Sequence, residues 1–309
     1  MKILVLGAGA MGSLYGGLLK ERGNDVTLVD VFKDHIDEIN KNGLEVELLG
    51  VKKNIKVEAC TSDKVDFRPD LVILFTKTIH SRSALDSIHR IIDDNTLVLS
   101  LQNGLGNDEI IREYVRAENI IIGTTNFPSD FISPGKIRSN GTGQTKIMTS
   151  IGYETSELKE VQSALDNAGF NCIITKDVFV SIWEKVAFNS ACNALTAITK
   201  LKLGDVGKTE EGKILAHRIV QEVSSVANKK GIKASADNVI ELVEADFIEH
   251  YEHIPSMAQD VLTKRLTEIQ FINGAVVKEA EELGMYIPVT ETLYQLISIV
   301  QSNYENILK

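Results

Sequence analysis

The first dozen residues, Met1-Lys-Ile-Leu-Val-Leu-Gly-Ala-Gly-Ala-Met-Gly12, constrain this chain more than any other stretch. Ile3, Leu4, Val5 and Leu6 form an apolar run that reads as a buried strand. Gly7-x-Gly9-x-x-Gly12 follows at once, and a helical pattern then runs through Leu14, Leu18 and Leu19. In such a strand–turn–helix the first glycine makes the tight turn, the second admits a pyrophosphate close to the backbone, and the third lets the helix pack on the strand. Ala10 and Met11 open the helix, where free N–H groups and the positive dipole end face a phosphate. Glu21-Arg22-Gly23-Asn24 makes a stop, Asp25-Val-Thr-Leu-Val29 reads as a second strand, and Asp30 stands at its end. A carboxylate there accepts hydrogen bonds from an adenosine ribose. This context predicts a nicotinamide dinucleotide. A flavin, a nucleotide sugar or a degenerate turn is the competing reading.

Further along, a polar helix is expected over 32–42 with Ile36 and Ile39 inside, stopped at Asn42-Gly43. The stretches 44–49 and 55–59 alternate like a hairpin. Asp70-Leu-Val-Ile-Leu-Phe75 is fully apolar after its first residue, as a central parallel strand is, and Lys77 follows its C-terminal end. A helix through Ala84, Leu85, Ile88, Ile91 and Ile92 leads to a strand over 96–101, closed by Gln102-Asn103-Gly104-Leu105-Gly106. Short strands and one helix continue to Thr175, and from Asp177 the pattern is helical almost to the end. The expected architecture is α/β: a Rossmann-type dinucleotide-binding domain over 1–175, then an all-helical substrate and dimerisation domain over 176–309. Ligands of open α/β sheets lie beyond the C-terminal strand ends, where Gly7–Gly12, Asp30, Lys77 and Asn103 all map.

The length of 309 residues suits two domains. A net charge of -10 without a Lys/Arg cluster disfavours nucleic acid and anionic membranes as partners. Cys60, Cys172 and Cys192 are scattered and lack metal-ligand spacing, so neither a metal site nor a disulfide framework is expected. Met1-Lys2 leads straight into the first strand and no apolar run is long enough to span a bilayer, so the cytoplasm is the expected location.

A second informative stretch is Ser181-Ile-Trp-Glu-Lys-Val-Ala-Phe-Asn-Ser-Ala-Cys-Asn-Ala-Leu-Thr-Ala197. Lys185, Asn189 and Asn193 recur every four residues and line one stripe of a helix. The rest of that helix is small and apolar, so it belongs in an interior, and a polar stripe on an interior helix points to a polar ligand. A solvated helix face is the alternative. The third stretch, Ser256 to Gly274, begins with a helix start at Pro255-Ser256. Ser256 alone reads as an N-cap. Glu268 is expected on the same helix, with Arg265 pairing to Asp260 or Glu268, and His250 and His253 are read as surface residues.

GAGAMG at 7–12, Lys77, QNGLG at 102–106, WEKVAFNSACNALTA at 183–197 and SMAQDVLTKRLTEIQFINGAVV at 256–277 together resemble the ketopantoate reductase (2-dehydropantoate 2-reductase) family. The resemblance runs along nearly the whole chain, in order. It implies reduction of a 2-oxo acid by a nicotinamide dinucleotide, with ketopantoate going to pantoate. It further implies Lys185 as general acid, with Glu268 orienting the substrate or Lys185. Asn103 and Ser256 would hold the substrate carboxylate, Asn189 and Asn193 its other polar groups, and Lys77 the ribose or substrate. Many NADP-using members carry a basic residue where this chain has Asp30, so NAD(H) is expected, with NADP(H), aided by Lys33, as the alternative. The family also contains NAD-dependent D-2-hydroxyacid dehydrogenases acting on mandelate-like or branched-chain acids, a second reading. A catalytically silent dinucleotide sensor is a remote third. A small 2-oxo acid is thus the expected ligand, and a homodimer the expected assembly.

Overall fold

The computed structural model describes residues 1–306. The chain forms two compact units, Met1–Gln102 with Asn107–Val178, and Asn103–Gly106 with the chain from Phe179 onward. In the first unit the strands are β1 (Lys2–Leu6), β2 (Asp25–Val29), β3 (Leu44–Leu48), β4 (Val51–Ile55), β5 (Glu58–Cys60) and β6 (Leu71–Leu74), then β7 (Leu97–Ser100), β8 (Ile120–Thr125), β9 (Asp130–Ser133), β10 (Lys136–Ser139), β11 (Thr145–Thr149) and β12 (Cys172–Ile174). Its helices are α1 (Ala10–Glu21), α2 (Lys33–Asn42), α3 (Ser81–Ile88), α4 (Asn107–Ile111) and α5 (Ser156–Asn167).

The main sheet has eight strands in the order β12-β11-β8-β7-β6-β1-β2-β5. All neighbours are parallel except β11 against β8. The residues of β6 and β7 are all buried, which is why those segments are apolar at every position rather than at alternate ones. From β1 the chain builds outward through β2 to β5, then returns to place β6 on the other side of β1. That reversal is the point at which α/β sheets of this kind take ligands, beyond the C-terminal strand ends.

The expected hairpin forms with a different second strand. β3 pairs antiparallel with β4, Leu44 opposite Ile55 and Leu48 opposite Val51. The two residues between them, Leu49 (φ 52°) and Gly50 (φ 77°), both take the left-handed backbone that two-residue hairpins need. The 58–60 stretch pairs instead with β2 in the main sheet. β3 and β4 join β10 and β9 in a separate four-stranded sheet, order β4-β3-β10-β9. The helix expected to run through Ile92 ends at Ile88 and continues as a 3₁₀ turn over His89–Ile91.

The second unit is helical: α6 (Val178–Thr199), α7 (Leu203–Gly207), α8 (Glu210–Lys229), α9 (Ala236–Glu249), α10 (Ser256–Leu262), α11 (Asn273–Glu282) and α12 (Pro288–Ser302). α6 is the interior element. Its Val186, Ala187, Ala191, Cys192 and Ala194 are buried in a core shared with Val220 and Val223 of α8 and Val276 of α11. Thr209 caps α8 by accepting the Gly212 N–H at 3.0 Å, and Ser235 caps α9 through the Asn238 N–H at 3.2 Å. Asn103–Gly106, expected with the nucleotide domain, belongs to this unit. The Leu105 N–H donates to the Phe271 carbonyl at 2.9 Å, and Gly104 lies so close to that carbonyl that a Cβ would come within 2.3 Å of it. Among the described residues no helix is long and apolar enough to cross a membrane.

Candidate active site

In the first unit the glycine turn has the geometry its spacing demands. Gly7 takes φ +97°, and a Cβ there would lie 2.6 Å from the Thr76 nitrogen. A Cβ on Gly12 would lie 1.9 Å from the Gly7 carbonyl oxygen. Around Gly9 a Cβ would meet nothing within 4 Å, so this side of the turn is open. Gly9 is the N-cap of α1, no side chain caps the helix, and its first turn, which includes Ala10 and Met11, holds no acid. Its N–H groups and positive dipole end therefore remain available to an anion. These features fit a pyrophosphate.

Asp30 follows β2 as expected, but its carboxylate also organises the turn. Oδ2 accepts the Ala8 N–H at 2.7 Å, while Oδ1 accepts the Val31 N–H at 2.7 Å and the Phe32 N–H at 2.9 Å. Each carboxylate oxygen has two acceptor sites, so Oδ2 keeps capacity for a ligand hydroxyl. Lys77, partly buried, opens a 3₁₀ turn just past β6. Sequence reading missed the side chain that secures this loop. Gln102 donates from Nε2 to the Thr76 carbonyl at 2.5 Å and to Ser81 Oγ at 2.8 Å, and its Oε1 accepts from Ser100 Oγ at 2.9 Å. The available signal was a lone amide between an apolar strand and a glycine turn.

In the second unit, α6 presents Lys185, Asn189 and Asn193 on one stripe. Asn189 is 8 % exposed and Asn193 6 %. Neither side-chain amide hydrogen-bonds to another described residue. Their residues are largely covered, but their amide atoms are not among the fully buried unpartnered ones, so a water or a ligand can reach and complete them. Both residues are more covered than the exposed face of a surface helix. Lys185 keeps a little accessible surface but is surrounded by protein. Burial pulls its pKa from the usual 10.5 down to about 8, against the raising effect of the Glu268 carboxylate.

Glu268 is not on the Ser256 helix. α10 stops at Leu262, Lys264 takes φ 55°, and the chain turns through 263–272 before α11 begins. Local bonds replace the helical ladder: Arg265 N–H to the Asp260 carbonyl at 2.8 Å, Thr267 N–H to Gln301 Oε1 at 3.1 Å, and Phe271 N–H to the Glu268 carbonyl at 2.9 Å. Of the two expected partners of Arg265, Asp260 is the one in contact, at 3.2 Å. Asn273, fully buried at the start of α11, donates to the Ser190 carbonyl of α6 at 3.1 Å and so ties this segment to the helix that carries Lys185. Asn103 reaches the same segment through the Leu105–Phe271 bond. Ser256 is the first residue of α10 rather than its cap, which is Pro255, and it is exposed with no capping bond. His250 and His253 are exposed, and His250 pairs with Asp246.

The unit with the dinucleotide turn and the unit with the lysine stripe also match known sequences as a pair. Residues 3–150 match the family model described as Ketopantoate reductase PanE/ApbA, and residues 177–301 match its C-terminal counterpart. The chain belongs to the ketopantoate reductase family. A 2-dehydropantoate 2-reductase of Lactococcus lactis subsp. lactis is 33 % identical over 302 residues, 96 % of this chain and 97 % of that protein. Another from Pyrococcus horikoshii is 36 % identical over 303 residues and covers 98 % of each chain. D-mandelate dehydrogenase, solved in a ternary complex with NADH and anilino(oxo)acetate, shares the fold with a TM-score of 0.94 at 31 % identity, over 99 % of this chain and 100 % of that one. Members of the ketopantoate reductase family are NAD(P)-dependent 2-oxo acid reductases and dehydrogenases, and the α/β unit followed by a helical unit is their architecture.

Proposed function

We propose that this chain reduces a small, branched 2-oxo acid to the 2-hydroxy acid, with ketopantoate as substrate and NADH as reductant. The observation that carries the proposal is the polar stripe of α6: a lysine with a pKa near 8 on the same stripe as two largely covered asparagines whose amides have no hydrogen-bond partner among the described residues. The dinucleotide, when bound at the Gly7–Gly12 turn, supplies a hydride to the carbonyl carbon. Alkoxide charge then grows on the ketone oxygen, and the Lys185 ammonium stabilises that charge and donates its proton there. Neutral Lys185 regains a proton from solvent. A pKa near 8 leaves the group mostly protonated at neutral pH yet ready to release the proton. Glu268 raises the lysine's pKa in opposition to burial and so keeps it charged. Asn103 and Ser256 hold the carboxylate, Asn189 and Asn193 bind the remaining polar groups, and Lys77 lies at the ribose. Asp30 accepts from the ribose diol and disfavours a 2′-phosphate. A homodimer through the helical unit belongs to the same reading, with the exposed Leu242 and Ile248 of α9 as apolar side chains it would cover.

Rates on a panel of 2-oxo acids with NADH and NADPH test this. Highest kcat/KM on ketopantoate supports the reading. Equal activity on ketones lacking a carboxylate contradicts it. The D-2-hydroxyacid dehydrogenase reading rests on Asp30 and on the likeness to the NADH-bound D-mandelate dehydrogenase. It takes over where phenyl or branched-chain 2-oxo acids outperform ketopantoate in the same panel.

A further inference from the structure

We infer that His35 and Ser13 are positioning residues for the dinucleotide: a relay of hydrogen bonds from the β9–β10 turn fixes the Ala8–Gly9 peptide and aims the Gly9 N–H at the ligand. The inference rests on the reading of the glycine turn as the cofactor site.

His35 lies on α2 and is 1 % exposed, and Ser13 on α1 is fully buried. The Gly135 N–H donates to His35 Nδ1 at 2.8 Å. Nδ1 therefore carries the lone pair, and the neutral ring has its proton on Nε2. That Nε2–H lies 3.1 Å from Ser13 Oγ and donates to it. The Ser13 hydroxyl donates in turn to the Ala8 carbonyl at 2.7 Å. Every donor in this chain has an acceptor, so the direction of each bond follows from the first. Burial lowers the His35 pKa, against the opposing pull of the Asp30 carboxylate and the Ala8 carbonyl, which favours the neutral ring the relay requires.

The far end of the relay is the peptide that matters. The Ala8 N–H is already held by Asp30 Oδ2 at 2.7 Å, and Ser13 holds the carbonyl on the other side of the residue. No peptide bond in the described chain is cis. In a planar trans peptide the N–H points opposite to the carbonyl. Fixing the Ala8 carbonyl toward Ser13 therefore directs the Gly9 N–H away from it. The Gly9 N–H donates to no other described residue, and the space beside Gly9 is open. A phosphate oxygen is the acceptor chemistry that suits such a donor at a helix start.

The test is the dissociation constant of NADH, by fluorescence titration, for the wild type, Ser13→Ala, His35→Asn, His35→Gln and the Ser13→Ala/His35→Asn double variant, each shown to be folded by circular dichroism at the assay temperature. Ser13→Ala and His35→Asn are expected to raise the constant about three- to tenfold, the worth of one neutral hydrogen bond, with KM for NADH rising in step and kcat changing less. The Gln amide reaches the place of Nε2 and keeps the donor to Ser13, so His35→Gln should stay within about twofold of the wild type. The double variant should be no weaker than the worse single variant, because both act through one carbonyl. Wild-type affinity in Ser13→Ala overturns the relay, as do additive losses in the double variant. His35→Gln binding as poorly as His35→Asn overturns it too, since the loss would then be one of packing. A wild type that binds neither NADH nor NADPH is a distinct result and overturns the cofactor reading with it.

Discussion

Lys185 is held in an environment that opposes its charge. Burial takes its pKa from 10.5 to about 8, so carrying the ammonium at neutral pH costs the fold up to about 3 kcal/mol. The sign follows from proton binding. The folded state holds this proton less tightly than the unfolded state, so the cost is full below pH 8 and fades as pH rises from about 8 toward 10.5. Lys185→Met keeps the stem volume and removes the charge. It should raise the thermal midpoint at pH 7 and remove that rise of stability with pH, while abolishing turnover. A midpoint at or below that of the wild type would show that Lys185 is stabilised where it stands. The stripe containing Lys185 was legible in the sequence because three polar residues at a spacing of four stand out on an otherwise apolar helix. The structural work of Asp30 in the turn was not, because a carboxylate that accepts three backbone N–H groups looks in sequence like one that accepts a ribose.

The strand–turn–helix at the N-terminus separates two kinds of glycine. Gly12 is required by the fold, since a Cβ would lie 1.9 Å from a backbone oxygen. Gly9 has open space and an ordinary φ of -64°. Gly12→Ala should therefore lower stability by about 2 kcal/mol or more as well as cofactor affinity. Gly9→Ala should leave the denaturation midpoint within about 0.5 kcal/mol of the wild type and weaken NADH binding alone. Chemical denaturation and NADH titration of both variants check this; equal loss of stability in both would contradict it. β1, β6 and β7 were legible because strands buried on both faces are apolar throughout. The hairpin partner was misplaced because Leu49-Gly50 carries only half of the Asn-Gly signature of its turn. Glu268 was placed on a helix because apolar residues at helical spacing surround it. The turn at Lys264 and the bonds from Thr267 and Arg265 are tertiary or backbone features that no periodicity records.

Across the molecule, an acidic chain with net charge -10 has to bind two anions, a dinucleotide and a 2-oxo acid, through local donors rather than through its overall field. In the proposed reading, backbone N–H groups at α1 and the neutral amides of α6 are such donors. In the same reading, electrostatics set cofactor choice. Asp30 beside a 2′-phosphate is repulsive, and Lys33 is the nearby cation in sequence, so kcat/KM with NADH should exceed that with NADPH by about ten- to hundredfold, or ~1.4–2.8 kcal/mol. A preference for NADPH would mean that Asp30 serves only the turn. The proposed central step, Lys185 protonating a 2-oxo acid as hydride arrives, is measured most directly by the pH dependence of kcat for ketopantoate reduction in the wild type and in Lys185→Ala. The wild type should lose kcat as pH rises through about 8. Lys185→Ala should be slower by about a hundredfold or more and lack that limb, with NADH binding intact. Near wild-type kcat in Lys185→Ala across the pH range, with NADH bound normally, would contradict it.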